Sequence, residues 1–145
     1  MKKIYLNKEL SIEIYDKEIY DKGKYTPKHC YDNVFDNIGS VGFRFKEEDI
    51  KVMFSYVSIL SLEKTYARHA CFYLDGMAID PTLVSVYGED IDWCNTHYIP
   101  FRILTVNEYL KLVAREHRAD LFKTFKVVEN LRRKELKGYG ITLIG

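Results

Sequence analysis

The sequence predicts an α+β domain: a small antiparallel sheet with helices packed on it. Three observations predict it. Asp75-Gly76 sits between two short apolar runs, a strong local signal for a tight β-hairpin turn. Val52 to Leu60 is dense in β-branched and aromatic residues, as a buried strand requires. From Cys30, and again after Asp120, the apolar spacing changes to three and four residues, the period of a helix. The length suits a single domain spanning residues 1–145, large enough for one core.

In chain order, Leu10, Ile12 and Ile14 alternate with polar residues and predict a strand over 9–15. Gly23 and Pro27 make Asp21 to His29 a loop. Tyr31, Val34, Phe35 and Ile38 share one helical face, and Gly39 is a natural stop, so a helix of two to three turns opens at Cys30. Val41, Phe43 and Phe45 alternate as a strand would, and Lys46 to Asp49 is a charged turn. Past the hairpin, Leu83 to Pro100 has no single period; a short helix near Ile91 to Asn95 is one solution. Thr105 followed by Glu108 is a capping box, so a helix runs from Val106 to about Glu116. Asp120 caps a second C-terminal helix with Leu121, Phe125, Val128 and Leu131 on one face and Gly138 after it. Ile141, Leu143 and Ile144 form a last strand or a docked tail.

The hairpin carries the first chemical clue. A two-residue turn opposes Leu74 with Met77, Tyr73 with Ala78, Phe72 with Ile79, Cys71 with Asp80 and Ala70 with Pro81. Side chains alternate between faces, so Ala70, Phe72, Leu74, Met77, Ile79 and Pro81 share one apolar face. His69 and Asp80 then share the other as diagonal neighbours, within reach of an imidazole meeting a carboxylate. A carboxylate there orients the ring and stabilises its charged form.

Such a pair lacks a nucleophile, and Cys30 is the candidate. It lies in the first turn of a helix, where free backbone N–H groups and the positive end of the helix dipole favour thiolate over thiol. Its own N–H is a possible oxyanion donor. Cys71 is the rival, on a strand opposite Asp80, where an adjacent carboxylate disfavours a thiolate. A free cysteine is also simply a common core residue.

Composition excludes several classes. Twenty-two Lys and Arg against 21 Asp and Glu give a net charge of +1, no argument for nucleic acid or an anionic membrane. No run of 18 apolar residues exists, so no transmembrane helix is expected, and MKKIYLNKEL has no apolar run behind its charge. Three cysteines, Cys30, Cys71 and Cys94, lack framework spacing and fit a reducing cytoplasm. Cys94-x-x-His97 has zinc-like spacing, but one pair does not fill four positions, and no metal or cofactor is expected. The many basic residues between Arg115 and Lys137 make a solvated face, or second a docking face for an acidic partner. Trp93, Tyr98 and Phe101 complete the core or line a cleft.

The residues Cys30, His69-Ala70 and Asp80-Pro81-Thr82 resemble the transglutaminase-like branch of the papain-like cysteine hydrolases. Cys30-Tyr31-x-Asn33 and Tyr98-Ile99-Pro100-Phe101 extend the similarity to small phage and bacterial proteins with this core, over about residues 25–101. Cys71 and Phe72 stand where the family usually has Trp and an apolar residue. No upstream Gln or Trp completes an oxyanion hole; Lys24, Tyr25 and Lys28 are the nearby side chains. The resemblance implies a papain-like core, with the Cys helix on the sheet that carries His and Asp. It implies a cysteine-dependent hydrolase or acyl transferase acting on a peptide or side-chain amide of a protein or peptide substrate through Cys30, His69 and Asp80 by way of an acyl-thioester. The alternative is a catalytically weak or inactive binding module that engages a protein or small ligand, such as a phage host-directed or counter-defence factor. Fold alone does not choose between them.

Overall fold

The computed structural model describes residues 2–18, 29–46, 48–59, 61–88, 92, 94–121 and 123–144. In chain order the elements are β1 (Ile4–Tyr5), α1 (Lys8–Glu18), α2 (Cys30–Phe45), β2 (Lys51–Ser58), β3 (Thr65–Leu74), β4 (Met77–Ile79), α3 (Pro81–Tyr87), β5 (His97–Thr105), α4 (Val106–Glu116), α5 (Lys126–Gly138) and β6 (Thr142–Ile144). The α+β class holds. The sheet has six strands in the order β1-β5-β2-β3-β4, and β6 pairs with β3. It is mixed rather than purely antiparallel, because β6 runs parallel to the start of β3, with Thr65 opposite Thr142.

Both faces of the sheet are covered. Val52, Phe54 and Tyr56 of β2 enter a large core with α2, α4 and α5, while Met53 and Val57 enter a smaller one with β1 and α3. This two-sided burial is why the segment reads as a nearly continuous apolar run. Phe54 is central to the larger core, its ring 5.2 Å from Phe125 and 6.2 Å from Tyr31 between centroids. Burying such a side chain contributes roughly 2–3 kcal/mol.

The hairpin has the expected register over its three pairs, Phe72 to Ile79, Tyr73 to Ala78 and Leu74 to Met77. Asp75 and Gly76 both take positive φ, 51° and 81°, which an Asp-Gly pair tolerates and a tight two-residue turn demands. The predicted pairs Cys71 with Asp80 and Ala70 with Pro81 do not form. The strand ends at Ile79 because Asp80 caps α3 and Pro81 takes its first position.

Four other elements correct the sequence expectation. Residues 9–15 are helix, not strand. The Asn7 side chain accepts the Leu10 N–H, capping α1, and the alternating residues serve two cores: Leu10 and Ile14 pack on the larger, Ile12 on the smaller. Helix α2 does not stop at Gly39 but runs 16 residues to Phe45, so Val41, Phe43 and Phe45 are helical. Its buried face is Cys30, Asn33, Val34, Asn37, Ile38, Val41 and Gly42, an unbroken helical stripe. Asp120 does not cap α5, which begins at Lys126 with Val128 and Leu131 exposed; Phe125, Glu129 and Leu136 are the buried positions. The helix after the hairpin is 81–87. Of the one suggested near 91–95, Ile91 and Trp93 lie outside the described residues, and Cys94-Asn95 is a turn.

Candidate active site

Cys30 is the first residue of α2. The first intrahelical bond runs from the Asn33 N–H to the His29 carbonyl at 2.8 Å, so the N–H groups of Cys30, Tyr31 and Asp32 have no partner within the helix. The His29 side chain makes no capping bond. It is exposed, with Nδ1 3.7 Å from the Asp32 carboxylate.

His69 lies on β3 between the stretch paired with β6 (65–67) and the stretch paired with β4 (72–74), and α2 packs on this strand. Asp80 is the residue between β4 and α3. Its Oδ1 accepts the Leu83 N–H at 3.2 Å, the bond an N-terminal cap makes. The Asp-Pro-Thr sequence is therefore a helix start that aims one carboxylate oxygen into the helix and leaves the other free to act elsewhere.

That second oxygen faces His69. Nε2 of the ring lies 2.6 Å from Asp80 Oδ2, and the Tyr98 hydroxyl donates to the same oxygen at 2.6 Å. The Asp80 N–H donates to Ser11 Oγ at 2.9 Å, and Ser11 in turn donates to the Asn7 carbonyl at 2.6 Å. Asp80 is wholly buried, and its N–H and both carboxylate oxygens are hydrogen-bonded. Asn33, one turn into α2, donates to Thr82 Oγ1 at 3.0 Å and ties the cysteine helix to the Asp-Pro-Thr element.

Electrostatics follow from these contacts. Burial by itself pushes the His69 pKa down. The Asp80 carboxylate beside it, and Cys30 acting both as a neighbouring charge and as a side-chain hydrogen-bond partner, push it up and prevail, holding it well above the usual imidazole value of 6.5. Asp80 occupies Nε2, which leaves Nδ1 as the ring nitrogen for Cys30. All three predicted site residues thus meet in one place.

Cys71 does not compete. It is buried, and burial first, then the Asp80 and Cys30 charges, push its thiol well above the usual cysteine value, so it stays protonated. Cys94 is exposed in its turn. His97 makes two hydrogen bonds: its Nδ1 donates to the Asn95 carbonyl at 3.0 Å and its Nε2 accepts from the Tyr66 hydroxyl at 2.5 Å. Of the basic C-terminal residues, Arg115, Arg132 and Arg133 are engaged by Glu116, Glu135 and Glu129.

Sequence reasoning missed three contributors. Ser11 was invisible because its segment read as a strand. Tyr98 read as an aromatic of the core or a cleft, and its bond to Asp80 joins positions 18 residues apart. Ser55 stands directly opposite His69 on β2, fully buried, its hydroxyl without a partner among the described residues. Lys24, Tyr25 and Lys28, the oxyanion candidates, lie outside the described residues.

Among the described residues, no helix is long and apolar enough to cross a membrane. Compared with models of protein families, with curated proteins and with solved structures, the chain matches none.

Proposed function

We propose that this protein is a cysteine-dependent hydrolase or acyl transferase with a papain-like, transglutaminase-like core, acting on a peptide or side-chain amide. The observation that carries this reading is the ring of His69, bonded through Nε2 to buried Asp80 at 2.6 Å while its other side is coupled to Cys30. A nucleophile, a base in contact with it, and a third group that orients the base are the parts that such chemistry needs.

In this mechanism the Cys30 sulfur, its proton held by His69, attacks the amide carbon. The oxyanion that forms is met by the Cys30 N–H at the end of α2. His69 then gives its proton to the leaving nitrogen, the C–N bond breaks and an acyl-thioester remains. Water, deprotonated by His69, attacks the thioester carbon, releasing a carboxylic acid and restoring the thiol; an amine in place of water gives acyl transfer. Asp80 keeps the ring in the tautomer that presents Nδ1 to sulfur throughout. A reducing, cytoplasmic compartment suits a site that depends on a free thiol.

The test is selective alkylation. Iodoacetamide near neutral pH is expected to label Cys30 at least about tenfold faster than exposed Cys94, and His69→Ala to abolish the difference. Peptide amides are expected to turn over with wild-type protein and not with Cys30→Ala. Labelling of Cys30 no faster than Cys94 overturns the proposal.

A further inference from the structure

An imidazole that serves this reaction must both take a proton and give it back. A buried carboxylate bonded to histidine alone works against the second half, because a fully charged acceptor in a dry site locks the ring as imidazolium. Asp80 is in such a site, yet Oδ2 is not offered to His69 alone. The Tyr98 hydroxyl donates to that oxygen at the same 2.6 Å distance, from β5, with its ring 6.1 Å from the imidazole. Tyr98 is fully buried, and burial together with the Asp80 charge keeps its phenol protonated, so it is a donor at every working pH.

We infer that Tyr98 is a positioning residue for the proposed reaction: its phenol shares Asp80 Oδ2 with His69 and limits how firmly that carboxylate holds the imidazole charged. Its hydroxyl bonds to Asp80 and acts through that carboxylate. Among the described residues, the titratable groups of this cluster are Cys30 from α2, Cys71 from β3, Asp80 ahead of α3 and Tyr98 from β5; Ser11 from α1 accepts the Asp80 N–H. Of these, Tyr98 is the one that donates to the same carboxylate oxygen as His69.

The catalytic meaning of this device rests on the Cys-His-Asp reading, but its test does not. NMR titration of the His69 ring in Tyr98→Phe is expected to show a midpoint at least about half a pH unit above wild type, since the carboxylate then concentrates on one donor. Tyr109→Phe is the control. Tyr109 is as deeply buried, and its hydroxyl has no partner among the described residues, so its removal is expected to leave the His69 midpoint unmoved. An unchanged or lowered midpoint in Tyr98→Phe overturns the inference. Cys30 labelling in wild-type protein decides the Cys-His-Asp reading separately. Should Tyr98→Phe fail to fold, Tyr98→Leu titrated beside a Tyr109→Leu control applies the same criterion.

Discussion

His69 Nε2 stands 2.6 Å from Asp80 Oδ2, and the aspartate is entirely out of water. The pair ties stability to pH in a defined direction. The His69 pKa is held above 6.5 in the folded chain, so the contribution of the charged ring is complete below about pH 6.5 and is lost as pH rises through the folded value. Urea melts are expected to show stability falling over that upper range. Asp80→Asn should remove this slope and cost about 3 kcal/mol at pH 6, because it leaves a buried ring without its counter-charge. Equal slopes in the two proteins would contradict the account.

Exposure and local charge together separate the three cysteines: Cys94 is exposed, while Cys30 and Cys71 are buried, 8% and 1% exposed, with Cys71 beside the Asp80 charge. Cys71 is buried and held protonated beside Asp80, so native protein is expected to leave it unmodified while Cys30 and Cys94 react. Mass spectrometry after brief iodoacetamide treatment checks this, with denatured protein labelling all three. Native labelling of Cys71 ahead of Cys94 would argue against the burial described.

A second buried charge anchors α5. Glu129 is only 2% exposed, and its Oε1 accepts from Arg68 Nη2 at 2.6 Å and Arg133 Nη1 at 3.3 Å. Arg68 precedes His69 on β3, so this bond fixes α5 against the strand that carries the imidazole. Glu129→Ala is expected to destabilise by about 3 kcal/mol in urea unfolding, and a loss under 1 kcal/mol would show the pair to be dispensable.

Gly39 offers a gain. It sits inside α2, and a Cβ added there meets nothing within 4 Å. Gly39→Ala is expected to raise stability by about 1 kcal/mol, read as a higher urea midpoint at unchanged slope. A lower midpoint would mean that the helix needs a break at this residue.

Legibility of the chain depended on how local each signal was. Asp75-Gly76 set the hairpin register as far as Ile79, because a turn of two positive-φ residues admits few alternatives; Asp80 reaches His69 as a helix cap, one step beyond the strand. The Thr105 and Glu108 pair set the start of α4 for a similar reason: both capping bonds lie within four residues. The failures came where one segment faces two partners. Leu10, Ile12 and Ile14 looked like one face of a strand because a helix wedged between two cores needs apolar residues on both sides; Asn7 was the better clue. Gly39 looked like a helix end, although the stripe through Ile38, Val41 and Gly42 continues beyond it. Val128 and Leu131 looked like core, yet α5 buries a glutamate instead. Cys30, His69 and Asp80 were each legible by type and local setting. Ser11 and Tyr98 were not, since only the folded chain brings them to Asp80.

The pairing of β1 with β5 places Ile4 opposite Tyr98. The first strand therefore waits for a partner made nearly a hundred residues later, and Tyr98 itself arrives with that partner. On a translating ribosome, the thiol, imidazole and aspartate all emerge before the tyrosine and the strand that carries it. A nascent chain accordingly carries Asp80 without its Tyr98 donor until β5 has left the exit tunnel and paired with β1 and β2.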